Sequence, residues 1–197
     1  MPRLEEVGYY LRGLWLLLLG KPEGFHYLDL TERGFWRSWW AVLFCLPPTL
    51  LSWASFRLYF LTQAPQGTPT GPIFFLKLAF VEAANWLIPL LVVLVLARIA
   101  GFSRAALPLV VVLNWLSVPL QWAYVPVSLI QIWAPADTSA ALLYLLTLGS
   151  YVFITYRIAV SILGGQKFPA FVLVMVVFSV PLMAQSQLLT MLGLVEL

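Results

Sequence analysis

Cysteine and histidine occur once each in this chain, as Cys45 and His26. A lone thiol permits no internal disulfide, and zinc, haem and iron–sulfur sites built from this chain alone would lack ligands, so no metal or cofactor is expected. Charge is also scarce: 10% of the 197 residues are charged, against ~25% in ordinary soluble domains, while 62% are hydrophobic. Such a composition excludes a water-soluble domain. Lys and Arg exceed Asp and Glu by 11 to 8, but they flank apolar runs rather than cluster on one face, so no nucleic-acid partner is expected.

Signatures of common chemistry are missing as well. One histidine cannot supply the paired-histidine zinc protease motif, and a serine–histidine relay would have to use His26, with no Gly-x-Ser-x-Gly elbow anywhere. No phosphate-cradling Gly-x-x-x-x-Gly-Lys loop is present, and Gly164-Gly165-Gln166-Lys167 reads as a tight turn. The chain is therefore not expected to be an enzyme.

What is present is a set of five apolar stretches, at about 36–61, 71–97, 105–130, 138–163 and 168–194. Each exceeds the roughly 20 helical residues that cross a hydrocarbon core. The expected fold is an all-α integral membrane protein: residues 1–35 form a cytoplasmic interfacial helix and linker, and residues 36–197 a five-helix transmembrane bundle. Positive charge marks alternate connections. Arg3, Arg12, Lys21, Arg33 and Arg37 precede or open the first span, Arg98 and Arg104 bracket the second loop, and Arg157 and Lys167 mark the fourth. The segment from Thr62 to Thr70 carries no positive charge, the one from Gln131 to Asp137 only Asp137, and the C-terminus only Glu196. Short positive loops stay cytoplasmic, which predicts the N-terminus inside and the C-terminus outside.

The leader does not read as a cleaved signal: it carries Glu5 and Glu6, its apolar run Leu14 to Leu19 is short, and Gly20-Lys21-Pro22-Glu23 follows instead of a small-residue cleavage site. Leu4, Val7, Leu11, Leu14, Trp15 and Leu18 recur at helical spacing, which predicts an amphipathic helix. Its apolar face lies either in the acyl boundary or on the bundle's own cytoplasmic side. Gly20 to Gly24 ends this helix, and Asp29 with Glu32 is a potential N-cap pair for the next one. Trp36, Arg37, Trp39 and Trp40 form an expected interfacial anchor at the cytoplasmic headgroups.

Inside the spans a few polar groups require explanation. Glu82 falls about eleven residues into the second stretch, ~16 Å from its outer end. A mid-membrane carboxylate is a functional candidate whose expected partners are Lys77 and Arg57. The plainer readings are an ion pair locking the first two spans, or a Glu82 kept neutral by its surroundings. Asn85-Trp86-Leu87 is echoed by Asn114-Trp115-Leu116, each followed by a proline. The two asparagines form either an interhelical clamp or, with Gln121, the lining of a cavity. Pro47, Pro48, Pro89, Pro108, Pro119, Pro126 and Pro181 interrupt the stretches, as prolines do both in plain bundles and at transporter binding sites.

A cytoplasmic segment followed by five tightly spaced spans resembles the Yip-type (Ypt/Rab-interacting) membrane-protein family and its bacterial relatives. Asp29 to Ala41, with Gly34-Phe35-Trp36-Arg37-Ser38 and Trp40-Ala41, together with Asn114-Trp115, is similar to uncharacterised inner-membrane proteins of proteobacteria, some of them labelled transporters. The resemblance implies a multi-pass protein of the bacterial inner membrane. Eukaryotic members carry Asp-Leu-Tyr-Gly-Pro before the first span; here Asp29-Leu30 continues as Thr31-Glu32, so no GTPase-binding residue carries over. Two functional readings follow. One is a non-catalytic membrane-organising or complex-docking protein, whose partners are lipids and either further copies of itself or a larger membrane complex. The other is a small transporter or channel subunit with a polar site around Glu82, enclosed by an oligomer.

Overall fold

The computed structural model describes residues 2, 4–65, 67–134 and 138–195; Arg3, Asp137 and Glu196, used above for topology, lie outside this set. The described residues form helices and turns without strands. In chain order the helices are α1 (Leu4–Leu18), α2 (Glu32–Ser38), α3 (Ala41–Gln63), α4 (Pro72–Ile99), α5 (Ser103–Ala123), α6 (Val125–Trp133), α7 (Thr138–Ile162) and α8 (Lys167–Met191), with a 3-10 turn at Pro22–Tyr27. Five stretches are long and apolar enough to cross a membrane: Glu32–Gln63, Pro72–Ile99, Ser103–Trp133, Thr138–Ile162 and Lys167–Met191. The chain is thus built as a multi-pass membrane protein. Two spans are jointed. The first joins α2 to α3 through Trp39 and Trp40, and the third breaks at Tyr124 between α5 and α6.

Local sequence explains most of the joints. Pro126, near the start of α6, has no N–H to offer the preceding turn and crowds the Trp122 carbonyl, so α5 ends there. Pro72 opens α4 at a position where its missing N–H is no loss. The cap of α2 differs from the expected one: Thr31, not Asp29, is the N-cap, its hydroxyl accepting from Gly34 N–H at 3.3 Å. Asp29 instead accepts from the Thr31 N–H (3.2 Å) and hydroxyl (2.6 Å), because the N-cap lies two residues after the acidic side chain. Gly20, at φ +76, closes α1 with bonds from Gly20 N–H to the Leu17 carbonyl and from Lys21 N–H to that of Leu16. This is the left-handed termination that glycine favours.

α5 is the central helix. In its span 56% of the most apolar stretch is buried, against 17–28% in the other four. It packs against α3, α4 and α7, and on its remaining side against α1 and α2. The face of α1 turned to the bundle holds Val7, Tyr10, Leu14 and Leu17, which share a core cluster with Val111, Trp115 and Ile158. That face is rotated from the predicted one. The Tyr10 and Trp115 rings lie tilted with centroids 4.6 Å apart, whereas Trp15, a member of the predicted apolar face, is 60% exposed. Burial of the Tyr10 phenol pushes its pKa up. Of the two placements open to α1, packing on the bundle is the one observed. Glu6 pairs with Arg37 of α2 at 2.5 Å, and the Arg157 guanidinium of α7 donates to the Leu18 carbonyl at 3.3 Å. A cation at a helix C-terminus meets the negative end of its dipole. Beneath α1 the 3-10 turn folds back so closely that a Cβ on Gly24 would strike the Gly13 carbonyl.

Candidate functional site

Prolines leave acceptors that the rest of the bundle must satisfy. Pro48 cannot donate to the Phe44 carbonyl one turn back, and the Trp122 indole N–H fills that vacancy at 3.1 Å, tying α3 to the end of α5. Pro89 of α4 and Pro181 of α8 sit on the wall of one internal cavity. Its volume is about 360 Å³, and every one of the five spans lines it.

Each helix contributes a stripe at helical spacing. α4 supplies Glu82, Asn85, Trp86 and Pro89; α5 supplies Asn114, Ser117 and Gln121; α7 supplies Tyr144, Leu148 and Tyr151; α8 supplies Phe178, Pro181, Leu182 and Gln185. Residues three, four and seven apart share a helix face, so one orientation of each helix aims its whole set inward. Ser52 of α3, Ser128 and Gln131 of α6, and Tyr124 at the break complete the polar wall. The Gln121 amide donates to Glu82 Oε1 at 3.4 Å. The Ser55 hydroxyl donates to Gln131 Oε1 at 3.0 Å, joining α3 to α6. Asn85 and Gln185 find no side-chain partner among the described residues. Beyond Leu90 and Val177 the bundle closes over an apolar cluster that includes Val93, Val110, Leu173 and Val174.

Four of the six intramembrane residues singled out from sequence therefore meet here: Glu82, Asn85, Asn114 and Gln121. Lys77 and Arg57 do not join them. The Lys77 ammonium donates to the Leu192 carbonyl at 2.6 Å, capping the end of α8, and Arg57 Nε donates to the Thr70 hydroxyl at 2.9 Å. The expected ion pair with Glu82 is replaced by Gln121, because depth along the span was matched while the direction around each helix was not. The two asparagines share the cavity without bonding each other; the Asn114 amide donates to the Ser38 hydroxyl at 2.8 Å, which itself donates to the Phe35 carbonyl at 2.7 Å. The aromatic group of the first span divides. Trp36 and Trp40 are exposed, whereas Trp39 turns inward with its indole N–H buried and unpartnered among the described residues, and Arg37 is drawn to Glu6.

The aromatic wall is what sequence reasoning missed. Tyr124 and Tyr144 lie with ring centroids 5.6 Å apart, and Tyr151 meets Phe178 edge-on at 4.7 Å. The spacing of Tyr144 and Tyr151 was the available signal, since it places both on one face of α7. No protein-family model matches the chain, and neither a curated protein nor a solved structure does.

Proposed function

We propose that this chain is a non-catalytic solute-binding membrane protein, a small transporter or channel subunit whose binding site is the cavity around Glu82. The observation that carries this is the convergence of Glu82, Asn85, Asn114 and Gln121 on one cavity lined by all five spans. Polar and ionisable groups are expensive in a bilayer and cluster where they pair with one another or face a solute path. Asn85 and Gln185 meet no protein partner among the described residues, which suits groups held for a solute. Five spans of a single chain line the space. The docking reading needs no such cavity, and the apolar face of α1 is covered by α5 and α7 rather than left for a partner.

We place the protein in the bacterial inner membrane with its N-terminus in the cytoplasm. Support comes from the basic residues flanking alternate connections and from the layout shared with Yip-type proteins. α1 then lies at the cytoplasmic interface, with Tyr9, Trp15 and Trp36 directed away from the bundle. The apolar cluster behind Leu90 closes the cytoplasmic side of the cavity, and transport requires it to part. Flux of a panel of small polar solutes into vesicles reconstituted with the full chain tests the reading. Glu82→Gln is expected to abolish the flux while leaving thermal stability in detergent within a few degrees of the parent. Absence of flux in both forms for cationic, neutral and anionic solutes alike would return the chain to the docking class.

A further inference from the structure

The cavity carries one ionisable acid, Glu82, and its lining includes no lysine, arginine or histidine among the described residues. The two basic side chains nearest to it in sequence are engaged elsewhere, Lys77 on the Leu192 carbonyl and Arg57 on Thr70. Among the described residues Glu82 receives one side-chain donor, the neutral Gln121 amide. A carboxylate in hydrocarbon surroundings calls for a positive partner. Among the described residues the cavity wall supplies none, so the solute that complements an ionised Glu82 is a cation.

The remaining wall distinguishes among cations. A bare metal ion is held by several converging oxygens. Besides its hydroxyl and amide groups, the wall of this cavity holds one carboxylate together with the rings of Trp86 of α4, Tyr124 at the break of the third span, Tyr144 and Tyr151 of α7, and Phe178 of α8. The rings come in two interacting pairs, Tyr124 with Tyr144 and Tyr151 with Phe178, which holds their planes in place. Aromatic faces attract weakly hydrated ammonium groups through the ring quadrupole, and more strongly when water is excluded. The volume of about 360 Å³ stands near the small end of ligand sites, which span roughly 300–1,000 Å³. That space suits an ammonium carrying a few carbon substituents. We propose that the cavity binds a small organic cation, a quaternary ammonium or protonated amine, with Glu82 as counter-ion and the aromatic wall as its cage. The proposal rests on the reading of this cavity as a solute site and names the solute class.

The test is calorimetric titration of the full-length protein in nanodiscs with choline, tetraethylammonium and benzyltrimethylammonium. Controls are 3,3-dimethylbutan-1-ol, the neutral isostere of choline, together with acetate and sodium chloride. At least one ammonium probe is expected to bind, with choline or a larger ammonium at least ~10-fold tighter than the neutral isostere. Glu82→Gln is expected to remove that preference, Glu82→Asp to retain part of it, and Tyr144→Leu to weaken the ammonium probes more than the alcohol. Gel filtration and melting temperature identify any variant that fails to fold, and Glu82→Asp then decides in place of Glu82→Gln. Equal binding of alcohol and ammonium, or ammonium binding indifferent to a folded Glu82→Gln, overturns the organic-cation assignment and leaves the solute cavity standing. A Glu82-dependent response to sodium without any to the ammonium probes overturns it in favour of a metal ion. Binding of none of the probes or controls overturns both this assignment and the solute-cavity reading.

Discussion

Asn114 is 2% exposed, lies in the middle of the most buried helix, and still has to satisfy a side-chain amide. It does so through Ser38, whose hydroxyl is itself tied back to the Phe35 carbonyl, so that α2 and α5 share one short chain of donors. A buried amide stripped of its acceptor loses more than the bond, because water is not there to replace it. Ser38→Ala removes the acceptor and nothing of comparable bulk, since Ser38 is fully buried and small. It is expected to lower stability by about 1–2 kcal/mol, the upper part of the range for interhelical polar contacts. Unfolding in a graded detergent or denaturant series measures this. A Ser38→Ala protein as stable as its parent would show that the Asn114 amide finds another acceptor, the cavity being the nearest source.

At the scale of single helices, Pro48 of α3 organises a contact rather than merely bending the chain. The bond from the Trp122 indole to the Phe44 carbonyl exists because Pro48 cannot make the intrahelical one. This dependence makes a double-mutant cycle informative. Trp122→Phe in the parent strands a carbonyl and is expected to cost about 1 kcal/mol. In a Pro48→Ala background the backbone N–H of the introduced alanine can take the Phe44 carbonyl, and the same change costs close to the packing loss alone. Equal costs in both backgrounds would mean that the indole contributes contact area and not a hydrogen bond. The existence of five long apolar spans was legible in the sequence, and within α4 Glu82, Asn85, Trp86 and Pro89 carry the three-four-seven spacing of one face. The direction of Lys77 was not legible, because an identical depth on α4 serves either the cavity or the end of α8, and only packing chooses. Ser38 as partner of Asn114 was equally hidden. The break at Trp39 and Trp40, which turns α2 toward α5, has no proline or glycine to announce it.

For the molecule as a whole, Arg57 and Lys77 stand on the side of the bundle that the charge alternation leaves otherwise without cations. Both are spent inside the fold, one on the Thr70 hydroxyl and one on the last carbonyls of α8. A cation fixed at a helix C-terminus is partly neutralised by the dipole it caps and is held away from the loops. The orientation signal then comes from the cations that remain, Arg98 and Arg104 at the α4–α5 turn and Lys167 at the start of α8, all exposed and all at one end. This end is predicted to be cytoplasmic. The native thiol does not interfere with cysteine labelling, as Cys45 is 1% exposed. Gln63→Cys at the C-terminal end of α3 and Ser103→Cys at the start of α5 replace exposed side chains at opposite ends of the bundle. On intact spheroplasts a membrane-impermeant maleimide is expected to modify the first at once and the second only after permeabilisation. The reverse pattern would invert the protein, place Arg98, Arg104 and Lys167 outside, and turn the closed apolar end of the Glu82 cavity toward the exterior. A solute would then reach Glu82 from the cytoplasm, so the labelling result fixes the direction in which any flux assay must be loaded.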